Sequence, residues 1–182
     1  MGAGATPEDV ARRAWRGFLV AHDRVLAQLD AALVAECDMT HSEYEVLAHL
    51  AEAEDHRLRM NELAALARLS PSGLTRRFDS LVRRGWVVRE RSALDRRGVL
   101  ARLTPEGLAR AEAARPVHDR GVREHFAEVL GDEGLAALAE LLERVAAAIC
   151  SLSALRRCSW AATAFSRRAS CRRISTICSS MS

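Results

Sequence analysis

SPSGLTRRFDSLVRRGWVVRERSALDRRGVLAR, residues 70–102, contains the change of period that decides the fold. Ser70-Pro71-Ser72 reads as a helix start. A hydroxyl can accept from the first free backbone N–H groups, and a proline in the first turn gives up an N–H that had no partner there. A helix is predicted over 71–84, stopped by Gly85 at a position that favours a left-handed residue. The hydrophobic period then changes from helical to two. Residues 86–91 read as a strand and residues 99–103 as its antiparallel partner. The seven residues 92–98 join them, giving a β-hairpin with the charged tip Asp95-Arg96-Arg97-Gly98.

At 100° per residue the predicted helix has two sides. Leu74, Phe78, Leu81 and Val82 fall on one, which anchors it to a core. Ser72, Arg76, Asp79, Ser80 and Arg83 fall on the other, which faces outward and is short or cationic. Such a face fits the major groove of DNA. Arginine can bond guanine O6 and N7 together, and serine can reach a base edge or a phosphate. The capped N-terminus adds free N–H groups and the positive end of the helix dipole. On its own this is also how an ordinary amphipathic surface helix looks. The order of parts separates the two readings. A short helix opening at Asn61-Glu62-Leu63-Ala64, a tight turn at Leu69-Ser70, a second helix and a basic hairpin make a helix-turn-helix with a wing. An arginine at the hairpin tip can enter a narrow minor groove, with Asp95 pairing with Arg97 to fix its direction.

Charge is distributed to match. Residues 70–102 hold nine Arg against three acids, a net of +6. Residues 1–69 and 103–150 together come to −9, so this segment is a basic patch on an acidic body. The overall +3 arises from residues 151–182, which hold six Arg and no acid. All basic residues other than histidine are arginine. The final 32 residues contain nine Ser and no apolar periodicity, and read as a disordered tail, with a phosphate-gripping basic arm as the alternative.

Outside the basic segment the chain reads as long helices. Thr6-Pro7-Glu8-Asp9 starts one that runs to about residue 36, with Trp15, Phe18, His22, Val25 and Leu29 in one stripe. Thr40-His41-Ser42-Glu43 starts a second, with Tyr44, Leu47 and Leu50 facing inward. Residues 56–59 can pair as an edge strand. Thr104-Pro105-Glu106 starts a helix toward residue 130, kinked at Pro116. After a break at Gly131, Leu135, Leu138, Leu142, Val145 and Ile149 form another stripe. Two heptads are too few to stand alone, so this helix needs a packing partner.

The run LSPSGLTRRFDSLVRRGWVVRERSALDRRGVLARLTPEG, residues 69–107, resembles the signature region of the multiple-antibiotic-resistance regulator (MarR) family. The shared features are a recognition helix opening with Ser-Pro-Ser, a glycine before the first wing strand, an Asp-x-Arg wing tip and a closing Leu-Thr-x-x-Gly. The likeness extends over about residues 8–150. It implies a mainly α fold with a small β-hairpin wing, in which residues 1–150 are one winged helix-turn-helix domain. Helices at about 7–36 and 104–150 would dimerise, and a lobe at about 41–103 would bind DNA. By position it implies DNA contacts from Ser70, Ser72, Thr75 and Arg76 and the wing pair Asp95 and Arg97. Ser80, Arg83 and Arg96 are added from the outward face and the tip.

The resemblance further implies a homodimer on a palindromic double-stranded operator, acting as a ligand-responsive repressor. Its two recognition helices would stand roughly 34 Å apart. A small aromatic or phenolic effector would be lined by Trp15, His22, His41 and Tyr44. The alternatives are a thiol switch at Cys37 and a winged-helix dimer used only for protein contacts. Glu36 and Asp38 should raise the Cys37 pKa and disfavour a reactive thiolate. The five cysteines form no Cys-x-x-Cys pair. No nucleophile elbow, phosphate loop or metal-spaced His/Glu pair is read, so no enzyme activity, cofactor or metal is expected. No secretory signal or membrane span is read either, so the expected location is cytoplasmic.

Overall fold

The computed structural model describes residues 6–91 and 99–155. The chain divides into two compact units, residues 1–126 and 127–182. In the first, the order is α1 (Pro7–Cys37), α2 (His41–Glu52), β1 (Arg57–Arg59), α3 (Met60–Leu66), α4 (Pro71–Arg83), β2 (Val87–Arg91), β3 (Val99–Leu103) and α5 (Pro105–Val122). The strands form an antiparallel sheet in the order β1-β3-β2. Fold and strand pairing follow the winged helix-turn-helix expectation, including β1 at the edge.

Helix starts are set by local chemistry. Thr6 and Thr40 each accept from the backbone N–H three residues on, and Asp9 and Glu43 reach back to the cap N–H, which completes two capping boxes. Ser70 and Thr104 cap α4 and α5 in the same way, each followed by proline. Arg68 and Gly85 take positive φ, 53° and 75°, where the chain turns into and out of the α4 region.

The core gathers Leu33, Leu47, Leu50, Leu63, Leu74, Phe78, Leu81, Trp86 and Val87 with the inner face of α5. Leu74, Phe78 and Leu81 are the buried side of α4, as the helical wheel requires. Close approach is built in at two glycines. A Cβ on Gly107 would lie 2.0 Å from the Trp86 carbonyl oxygen, and one on Gly121 would lie 2.6 Å from a Leu29 methyl.

The helix containing Pro116 continues as α-helix to Val122. The departure from α geometry comes later than predicted, as a π-helical turn at Arg123–Ala127. The remaining helix, α6 (Glu128–Leu155), includes Gly131 at φ 63°, ψ 173°, the predicted break. Its stripe residues Leu142, Val145 and Ile149 are exposed among the described residues. Among the described residues no helix is long and apolar enough to cross a membrane.

Candidate nucleic-acid interface

Ser70, Ser72, Thr75, Arg76 and Arg83 all lie exposed on α4 or at its cap. The Ser70 hydroxyl accepts from the Gly73 N–H at 3.1 Å and sits 3.3 Å from the Ser72 hydroxyl. Thr75 donates back to the Pro71 carbonyl at 2.9 Å, which turns its hydroxyl along its own helix. Four neighbouring arginines are committed. Arg77 donates to the Ser42 hydroxyl at 2.5 Å, Arg84 to the Asp38 carbonyl at 2.6 Å, Arg89 to Asp79 at 2.6 Å, and Arg102 pairs with Glu90 at 2.5 Å. Arg76 and Arg83 have no hydrogen-bond or ion-pair partner among the described residues. Among the described residues, these two guanidinium groups are engaged by no side chain or carbonyl.

Ser80 departs from the helical-wheel reading. It is half-buried, and its hydroxyl donates to Glu43 at 3.1 Å. The wheel placed it outward because a projection knows nothing of the helix packed alongside. α2 covers that flank of α4, so Ser80 positions the helix and is not a free donor. Asp79 is likewise taken by Arg89, a half-exposed pair worth at most about 1 kcal/mol.

The wing tip, with Asp95, Arg96 and Arg97, lies outside the described residues. The base of the wing is firmly seated. Thr104 donates its hydroxyl to the Gly85 and Trp86 carbonyls at 2.8 and 3.0 Å, and its N–H also goes to Trp86 at 3.0 Å. This seam ties the start of β2 to the start of α5 and explains the Leu-Thr-x-x-Gly spacing: threonine makes the bonds, and Gly107 leaves room for the Trp86 carbonyl.

The four candidate effector residues do not come together within the chain. Trp15 is 61% exposed and stacks on Phe18, whose ring lies 6.3 Å from that of His22. His22 pairs with its neighbour Asp23 at 3.1 Å. His41 and Tyr44 sit elsewhere, where α2 faces α5. Their rings stack on that of His118 at 5.6 and 4.7 Å. Burial pushes the His41 pKa down, with nearby His118 acting in the same direction against Glu45 and Asp30. Buried Glu45 joins this group and has His49 3.5 Å away and Arg68 4.0 Å away. The sequence reading missed Glu45, His49 and His118. The available signal was the spacing of 41, 45 and 49, four residues apart on one helix face.

Cys37 is half-buried. Burial raises its thiol pKa most, Glu36 adds to the rise, and Arg120 and Arg110 oppose it. The direction matches the sequence expectation, but its main cause is packing.

A family profile described as the MarR family matches residues 38–98. The chain is 32% identical over 110 residues to the HTH-type transcriptional repressor YetL of Bacillus subtilis, spanning 59% of this chain and 66% of that one. It is similar to the MarR family regulator Sco3205 of Streptomyces coelicolor, solved in complex with DNA: 34% identity, TM-score 0.71, 79% of this chain and 92% of that one. The MarR family regulator AbsC of the same organism superposes with TM-score 0.72 at 31% identity, covering 82% of this chain and 99% of that one.

Proposed function

The chain belongs to the MarR family of transcriptional regulators, and we propose that it acts as a homodimeric, sequence-specific repressor whose grip on a palindromic operator responds to a small effector. The observation that carries the DNA reading is the division among the arginines of the basic segment. Arg77, Arg84, Arg89 and Arg102 are spent on internal partners, whereas Arg76 and Arg83 project from the exposed side of α4 beside Ser72. Arg76 reads base edges, Ser72 and Thr75 approach the backbone, and Arg83 neutralises phosphate. Asp95, Arg96 and Arg97, which lie outside the described residues, are included in the proposed contact on the strength of the sequence and the family resemblance alone. The relative Sco3205, solved with DNA, supports the same use of this fold.

Exposed apolar side chains support the dimer. Val10, Trp15 and Phe18 on α1, and Leu141, Val145 and Ile149 on α6, are exposed among the described residues. Stripes of this size on two long helices mark protein contact surfaces. Two-fold symmetry then spaces the recognition helices by roughly one DNA turn and makes the operator a palindrome.

Selection from a random duplex library tests the reading. The full chain should enrich a palindrome, with affinity falling steeply as salt rises. Arg76→Ala should cost about 1–3 kcal/mol and relax preference at one position of each half-site, whereas Arg97→Ala should weaken all sequences alike. Absence of enrichment, with binding no tighter than to random duplex, would reject sequence-specific recognition.

A further inference from the structure

We propose that His41, Glu45 and His118, where α2 faces α5, form a binding site for a transition-metal ion of the zinc class. One donor atom from each lies within 4.8 Å of the other two. Two imidazoles and a carboxylate are a donor set that suits zinc and its neighbours and ill suits calcium or magnesium, which require oxygen. Around a tetrahedral ion such donors stand about 3.4 Å apart, given metal–ligand bonds of roughly 2.1 Å. Both helices are already packed together, so the contraction from the present spacing to that one is small.

The surroundings hold the donors in place. The His118 ring stacks on those of Tyr44 and His41. Asp30 accepts from the His41 backbone N–H at 2.7 Å and pins the first turn of α2. His49 lies one turn beyond Glu45, its buried Nε2 3.5 Å from the carboxylate without hydrogen-bond geometry. It serves as an outer partner that orients Glu45. Arg68 also approaches Glu45, at 4.0 Å, but its side chain is 81% exposed and can swing into solvent when a cation arrives. His41 and His118 are each partly exposed, His118 with 13% of its side chain, which leaves an entry path. Three protein ligands leave a fourth position open, the pattern of an exchangeable site and not of a closed structural one.

The same helix reaches the recognition helix. Ser42 and Glu43, between the metal ligands in sequence, receive hydrogen bonds from Arg77 and Ser80 of α4. Metal held by His41 and Glu45 therefore bears on how α4 is presented. This regulatory consequence, which names the effector class, rests on the DNA-binding reading. The metal site itself does not.

The full chain, stripped with EDTA, is titrated with Co2+ and then Zn2+ without DNA. One ion per chain is expected, with cobalt d–d bands, no sulfur-to-cobalt charge-transfer band, and a rise in melting temperature. His41→Gln and His118→Gln should each weaken binding at least about tenfold, with Glu45→Gln similar. His22→Gln and His125→Gln should leave it unchanged. Circular dichroism confirms that each variant is folded, and His118→Asn replaces His118→Gln should that fail. No saturable binding, a charge-transfer band placing the ion on cysteines, or unchanged affinity in the folded His41 and His118 variants would overturn the site. DNA affinity with and without Zn2+ is scored separately. An effect lost in the His41 and His118 variants supports the coupling, and no effect despite intact metal binding removes the coupling alone.

Discussion

The Ser80 hydroxyl donates to Glu43 at 3.1 Å, joining the recognition helix α4 to α2. The other carboxylate oxygen of Glu43 accepts from the Thr40 N–H at 2.9 Å and from the Thr40 hydroxyl at 3.0 Å. One buried carboxylate thus starts α2 and fixes α4. Glu43→Ala should lower unfolding free energy by about 2 kcal/mol, the sum of a lost capping-box partner and a half-buried hydroxyl left without its acceptor. Glu43→Gln, which keeps the capping geometry, should cost less than half of that. Urea unfolding of both variants decides; equal losses would mean that charge alone matters.

Gly107 faces the Trp86 carbonyl so closely that any side chain must displace backbone. Gly107→Ala should destabilise by more than about 2 kcal/mol. Gly17→Ala, in mid-helix with nothing within 4 Å of the added methyl, should stabilise by up to about 1 kcal/mol. Opposite shifts in melting temperature are the expected pair of results.

Trp15 is the largest exposed apolar side chain on α1. Trp15→Glu places a charge in the proposed dimer surface, where it would be desolvated. Light scattering on a sizing column should show the native chain at twice its monomer mass and the variant shifted toward monomer, with circular dichroism retained. A native monomer would reject the dimer.

Burial, aided by Glu36, holds the Cys37 thiol above its ordinary pKa. At neutral pH less of it is thiolate than in a free cysteine, so site-resolved mass spectrometry should find its alkylation slow. Its rate should still be rising at alkaline pH where a free thiol has levelled off. The linkage has the same sign: stability from this group is full below the unfolded thiol pKa and is lost as pH rises through the folded one. Peroxide alone should leave DNA binding unchanged.

The sequence by itself determined the elements and their order. Caps at Thr6, Thr40, Ser70 and Thr104, the glycine at 85 and the switch from helical to two-residue period are local signals, since each involves bonds within about four residues. The same locality made the buried side of α4 readable from spacing. Tertiary structure alone decided what each polar side chain does. Ser80 and Arg83 share one predicted face, yet a neighbouring helix claims Ser80, while Arg83 meets no partner among the described residues. Arg76 and Arg77 are adjacent in sequence, and only the second finds Ser42, 35 residues away. His118 reaches His41 and Tyr44 across more than seventy residues, and no periodicity along one chain encodes that meeting. Backbone hydrogen bonding and burial periodicity are short-range and repeat along the chain. Side-chain pairing depends on which elements pack together, and is settled only when they do.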